Sequence, residues 1–251
     1  MKKHIIFSVL VIVPFLPFSN AAELKFNTQE FPPFSMIEHD QPSGVGVELV
    51  QEICLNAGIA CKINIMDWSK AQQEAREKRV DGLFVIGWNL ERGKWLRYTL
   101  PIIYTEYGFF VKSGNNRVYS TVSNFSNHLV GVFGPSNTSK SLGIVQGAIP
   151  SMRISLKQDD IESFSDLING KVDAVYSNRD VGWMIAKNLR ATPKVRYAWS
   201  HKGLNYYVGF VKGKADRSLV KRFNFSLKKL YSSGEAQIIL QRYNVSSPPG
   251  S

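Results

Sequence analysis

The chain has 251 residues, 44% of them hydrophobic and 20% charged, with a formal net charge of +11. A chain of this length can bury one large core or two of ordinary size. The positive balance favours anionic ligands or surfaces over cations, and with no contiguous basic run the composition argues against nucleic acid as a partner.

Lys2 and Lys3 precede an apolar run from Ile5 to Phe18, and Ser19-Asn20-Ala21 follow it. A charged start, an apolar core of about 14 residues and small residues behind it are the parts of a secretory signal peptide, so residues 1–21 are assigned to one, with cleavage after Ala21 or Ala22. A membrane span needs about 20 apolar residues, and Pro14 and Pro17 interrupt this run. The mature chain is therefore expected to be exported, soluble and not membrane-embedded, with a net charge of +9 once Lys2 and Lys3 are removed. In that setting Cys54 and Cys61, seven apart across a turn containing Asn56, Ala57 and Gly58, are expected to form a disulfide. A metal site would want more ligands.

Leu24–Asn27 predicts the first strand, and Phe31-Pro32-Pro33-Phe34 a rigid extended turn that can hold Phe31 or Phe34 against a crevice or pack both in the core. Val47, Val50, Ile53 and Cys54 recur at helical spacing over Val45–Ala57, with Gly58 just beyond. A strand (Cys61–Met66), a helix (Trp68–Lys78) and a strand (Leu83–Ile86) follow. This alternation predicts right-handed βαβ units and a largely parallel sheet. The strand breaks at Gly87, Trp88 and Asn89, and Arg92 opens a short helix, which describes a ligand crevice at the carboxyl end of a strand. Arg92 suits an anion because its planar fork holds a carboxylate through two hydrogen bonds. The alternative is a solvated helix residue beside Glu91 and Lys94.

Tyr107–Lys112 and Tyr207–Lys212 echo one another, each β-rich and followed by a polar glycine turn. If the chain leaves one lobe at the first and returns at the second, the two segments are the paired connecting strands of a hinge around an inserted lobe. Inside it, Leu129–Phe133 predicts a strand whose turn, Gly134 to Thr138, feeds a helix. The free amides there, at Ser136 and Asn137, favour an anion or mark an ordinary helix cap. Helix Ile161–Ile168, the turn Asn169-Gly170 and strand Val172–Tyr176 follow, with Ser177-Asn178-Arg179-Asp180 as a second crevice wall. Asp216–Tyr231 and a short helix ending at Tyr243 are expected to pack on the first lobe, and Ser246–Ser251 to fray.

From residue 24 to 244 these motifs resemble the bacterial extracellular solute-binding proteins of family 3, the periplasmic receptors of amino-acid ABC importers. The likeness is carried by FPPF at 31–34, GVGVELVQEIC at 44–54 with Cys61, ERGKWLRYTLPIIY at 91–104, LVGVFGPSNTS at 129–139, INGKVDAVYSN at 168–178 and GEAQIILQRY at 234–243. The resemblance implies an α/β fold of the two-lobe periplasmic-binding-protein type II, each lobe a mostly parallel sheet flanked by helices, joined by two hinge strands. The first lobe would take residues 22–110 and the C-terminal segment 208–251, and the second lobe 111–207. It also implies a small carboxylate or amino-acid ligand, an ABC permease as partner, a monomer, and no cofactor or metal.

Phe31 looks like the aromatic that stacks on the ligand, Arg92 like the arginine that grips its α-carboxylate, and Ser136 like the hydroxyl that helps hold the same group. The cysteine pair matches a disulfide position found in some members. Two features depart from the pattern. Gly87-Trp88-Asn89 replaces small and hydroxyl residues in a segment one residue short, so Trp88 fills part of the pocket or stacks on the ligand. Asn178 stands where the family places the aspartate that binds the α-ammonium, a change that weakens such a bond by about 1 kcal/mol or more. Either Asp180 or Glu30 compensates, or the ligand is a carboxylate without that ammonium.

The chain shows no catalytic constellation. His39, His128 and His201 lack metal-like spacing and no G-x-S-x-G elbow occurs. A binding protein is expected. The alternatives are a dehydratase on the same fold, with Glu30 or Asp180 as its carboxyl group, and a periplasmic sensor without a transport role.

Overall fold

The computed structural model describes residues 23–250, so the signal peptide expected over 1–21 lies outside the described residues. The first half contains β1 (Glu23–Thr28), a hairpin of β2 (Met36–Glu38) and β3 (Gln41–Ser43), α1 (Val45–Ala57), β4 (Ala60–Ile65), α2 (Trp68–Arg76), β5 (Gly82–Gly87), α3 (Leu90–Trp95) and β6 (Leu96–Lys112). Then come β7 (Leu129–Phe133), α4 (Asn137–Ala148), β8 (Arg153–Lys157), α5 (Asp160–Asn169), β9 (Ala174–Asn178) and α6 (Arg179–Asn188). The chain closes with β10 (Val195–Val211), α7 (Arg217–Ser232) and α8 (Glu235–Arg242).

Local chemistry accounts for many of these boundaries. Helix α1 turns Val47, Val50 and Ile53 inward and ends at Gly58, whose left-handed φ of 62° lets its N–H reach back to the helix carbonyls. Asp216 caps α7 by accepting from the N–H of Ser218 at 2.6 Å, and Phe223, Leu227 and Leu230 form its buried stripe.

Eight strands form one mixed sheet in the order β4-β1-β5-β10-β6-β9-β7-β8. Its flanks are two parallel triplets, β4-β1-β5 and β9-β7-β8, and its centre is the antiparallel pair β6 and β10. These two strands, 17 residues each, run through both triplets. The hydrophobic cores separate accordingly. Phe26, Phe84, Phe210 and Phe223 pack together on the first side with α1, α7 and α8. On the second side Phe109 stacks on Phe125 at 3.8 Å and Phe110 meets Phe164 edge-on at 5.0 Å.

Several expectations need correction. The echoing segments Tyr107–Lys112 and Tyr207–Lys212 do not face one another. Residues 107–112 pair with 195–202, and 207–211 with 96–101, because antiparallel pairing puts the carboxyl ends of the two strands in opposite triplets. Strand β9 covers Ala174–Asn178, two residues later than expected at either end. The C-terminal segment is not frayed at its start. The Tyr104 N–H donates to the Ser246 carbonyl at 3.1 Å, and Pro248 is buried. The hairpin β2–β3, strand β8 and helix α6 were not foreseen.

Cys54, at the inner face of α1, and Cys61, in β4, form the expected disulfide with their Cα atoms 6.2 Å apart. On the chain-entropy account a loop this small stabilises by roughly 2–3 kcal/mol. Replacing both cysteines by serine should therefore lower the unfolding midpoint by roughly 5–10 °C in calorimetry, and adding reductant to the variant should produce no further shift.

Candidate functional site

The carboxyl end of β5 builds the first wall. Between Phe84 and Ile86 the pairing with β10 slips by one residue, leaving Val85 as a bulge with φ 54°, an unusual value for a β-branched side chain. Gly87 ends the strand, and a side chain there would meet nothing within 4 Å, so glycine leaves open room. Asn89 caps α3 by accepting the Arg92 N–H at 2.8 Å. The Arg92 guanidinium donates to the Gly87 carbonyl at 3.2 Å and lies 5.2 Å over the Trp68 ring. Tyr98 donates to the same carbonyl at 3.4 Å. Burial lowers the Arg92 pKa, opposed by Tyr98 and Tyr107, and no carboxylate among the described residues neutralises it. Arginine remains cationic under such a shift.

The opposite wall is made of helix starts at the carboxyl ends of β7, β8 and β9. Ser136 caps α4 in a reciprocal box with Ser139, accepting its N–H at 3.0 Å while donating its own hydroxyl to the Phe133 carbonyl at 2.7 Å. Asn137, the first helical residue, is exposed. Asp160 opens α5 and accepts the Ser177 hydroxyl at 2.9 Å. Burial, reinforced by nearby Asp159, raises its pKa to about 6. Asn178 caps α6, accepting from the N–H groups of Asp180 and Val181 at 2.9 and 3.2 Å.

Two tyrosines from the central strands stand between the walls. Tyr206 is fully buried, and its hydroxyl accepts from Asn178 Nδ2 at 3.1 Å. Its ring meets Phe31 edge-on at 5.9 Å and Phe34 at 5.2 Å. The Tyr107 phenol lies beside Thr138 and Tyr206, and it feels the charges of Arg92 and of Asp160. Burial pushes both phenols above the ordinary tyrosine pKa, so both keep their protons at neutral pH.

The structure thus gathers Phe31, Gly87, Arg92, Asn178 and the start of α4 around the Tyr107–Tyr206 pair. Phe34 is wholly buried. Trp88 is 63% exposed, on the rim. Asp180 is joined to Asn178 through the shared Thr105 hydroxyl and also borders a concavity of about 580 Å³ with Met36, Trp183, Lys187 and Tyr243. Trp68, Tyr107, Asp160 and Tyr206 were not singled out from the sequence as site residues. Tyr107 opens one of the echoing segments, a signal that drew attention to topology and not to the phenol. Among the described residues no group of three or more His, Cys, Asp or Glu side chains is placed to hold a metal ion, and no helix is long and apolar enough to cross a membrane.

Residues 25–246 match the family model described as bacterial extracellular solute-binding proteins, family 3. A search of curated proteins found no match. Among solved structures, a histidine kinase sensor domain with similarity to periplasmic binding proteins superposes with a TM-score of 0.75 at 19% identity, covering 92% of this chain and all of that one. An ancestral arginine-binding protein bound to arginine gives 0.72 at 20% identity over 88% of this chain and 98% of its own. An ancestral amino-acid-binding protein that is a precursor of cyclohexadienyl dehydratase gives 0.71 at 17%, over 88% and 95%. At these identities the likeness establishes the two-lobe fold.

The buried acid gives a pH signature. Asp160 titrates at about 6 in the fold against an ordinary value of 3.8, so its contribution favours folding in acid and is lost as pH rises between those values. Asp160→Asn, which can still accept from Ser177, should stabilise the protein by about 1–3 kcal/mol at pH 7.5 and leave it unchanged near pH 3. Denaturant midpoints of the two proteins at both pH values check this.

Proposed function

The chain belongs to the bacterial extracellular solute-binding proteins, family 3, and from that membership we propose that it captures a small carboxylate-bearing solute by closure of its two lobes. Delivery to the permease of an ABC importer, after export to the periplasm, is the role this reading assigns. The observation that carries it is the state of Arg92. Its guanidinium is held by an aromatic ring and a backbone carbonyl, with no carboxylate to neutralise it. A partly desolvated cation kept unpaired in a crevice is costly unless an anion arrives. Across from it, the first amides of α4 and the hydroxyls of Tyr107 and Thr138 offer further donors to the same anion.

Phe31 would contribute apolar contact on the floor of the cleft, and Trp88 on the rim would cover a bound solute. Ser136 acts by holding the start of α4 in place, since its hydroxyl is already engaged. Closure follows because a ligand bridging Arg92 and α4 prefers the closed arrangement, and it shifts the equilibrium only by that preference. The chemistry is recognition. On that account we read the protein as a binder and not an enzyme.

Thermal unfolding of residues 22–251 against a panel of small carboxylates tests the reading. A true ligand at a hundred times its dissociation constant should add about 2.7 kcal/mol, roughly 5–10 °C. Arg92→Ala should remove the shift, and Arg92→Lys should weaken binding about tenfold or more because an ammonium cannot offer the planar fork. An undiminished shift in Arg92→Ala would sink the proposal.

A further inference from the structure

We infer that the cleft selects small carboxylates that carry no α-ammonium group. This rests on the carboxylate reading above and adds what the neighbouring carbon of the ligand must lack. An ammonium has three protons to place and needs acceptors with spare lone pairs, anionic by preference. Beside Tyr107 and Arg92 the acceptors other than Asp160 are already engaged.

The Gly87 carbonyl receives Arg92 Nη1 at 3.2 Å and the Tyr98 hydroxyl at 3.4 Å, one donor for each lone pair. Asn178 Oδ1 receives the N–H groups of Asp180 and Val181 at 2.9 and 3.2 Å, with Thr105 Oγ1 a further 3.2 Å away. Its amide nitrogen donates to Tyr206, and the residue is only 3% exposed. Asp180 cannot substitute. One of its oxygens takes the Thr105 hydroxyl at 2.6 Å and the other Arg179 Nε at 3.2 Å. Arg179 also pairs with Glu106 at 3.4 Å, so the carboxylates beside the central strands are neutralised within the protein. Glu30 points to solvent as an exposed residue.

What the cleft does present is donors. Arg92 supplies a guanidinium, Tyr107 and Thr138 supply hydroxyls, and α4 supplies its first amides. Such a surface matches a carboxylate followed by a carbonyl, a hydroxyl or plain carbon. An ammonium brought there would sit beside a cation and displace hydrogen bonds that the protein makes to itself. The remaining acid is Asp160. One of its oxygens holds the Ser177 hydroxyl, and it stands at the start of α5, in the wall across from Arg92.

Calorimetric titration of the wild type with each common amino acid and with its 2-oxo and 2-hydroxy counterparts decides the matter. The expected result is that at least one acid without the amino group binds, tenfold or more tightly than its amino partner, and that Arg92→Ala abolishes the binding. If an amino acid binds as tightly as its counterparts or more so, through Arg92, the inference is overturned while the carboxylate reading survives. Loss of that binding in Asp160→Asn would then place the ammonium on Asp160. If no member of any set binds, the carboxylate reading fails and this inference falls with it. Circular dichroism of each variant separates failed folding from failed recognition.

Discussion

The antiparallel pairing of β6 with β10 is the constraint on which the molecule depends. The ladder runs from Val195 opposite Lys112 to Val211 opposite Leu96, so each strand belongs to both parallel triplets. Any rotation of one lobe against the other must bend these two strands near Thr105 and Leu204, which pair at the middle. The pairing register shifts at several points between Tyr197 and Gly209. A bulged ladder is bent and more strongly twisted than a regular one, and these irregularities surround the middle of the pair, where the two lobes join. The same geometry places the phenols. Tyr107 and Tyr206 lie on neighbouring strands to either side of the crossing, and both enter the cleft.

The start of α6 is the second point of coupling. Asn178 caps the helix and donates to Tyr206, and Arg179 joins Glu106 and Asp180 and reaches Ser246 at 3.1 Å. Ser246 in turn pairs with Tyr104 in β6. One helix terminus thus ties the second lobe to the central strands and to the C-terminal segment. Val181, one turn into α6, is buried in the core of the first lobe. An opening that lifts α6 away would expose it at a cost of about 1.5–3 kcal/mol. That is comparable to the free energy a modest ligand supplies, so closure and recognition operate on the same scale.

How much of this could be read from the residues depends on how local its cause is. Helix α1 and strand β7 fall where periodicity put them, since Val45–Ala57 and Leu129–Phe133 carry complete patterns and clear punctuation. The position of Arg92 just past the end of β5 was legible because strand, glycine and arginine are adjacent. Helix α6 was hidden because its polar start, Asn178-Arg179-Asp180, looks like loop until its capping bonds are seen. Strand β8 offers only Arg-Ile-Ser-Leu-Lys, too short and too mixed to announce itself. Tyr107, Tyr206, Trp68 and Asp160 derive their roles from partners far away in the chain, and no window of sequence contains those pairs. Burial of the C-terminal segment has the same origin, because Ser246 meets Tyr104 across the fold.

The two arginines of the cleft region show why pairing matters more than the presence of charge. Arg179 is partly buried, yet Glu106 and Asp180 satisfy it, so it serves as a structural tie and presents little to a ligand. Arg92 is also partly buried but rests on Trp68 and the Gly87 carbonyl, partners that orient a guanidinium without cancelling its charge. Cation–π contact is worth about 0.5–2 kcal/mol, less than a desolvated carboxylate would return. The fold therefore tolerates an unneutralised cation at one position while neutralising its neighbour. On the proposed reading, that asymmetry directs an incoming anion to Arg92, at the open end of β5 and opposite the start of α4.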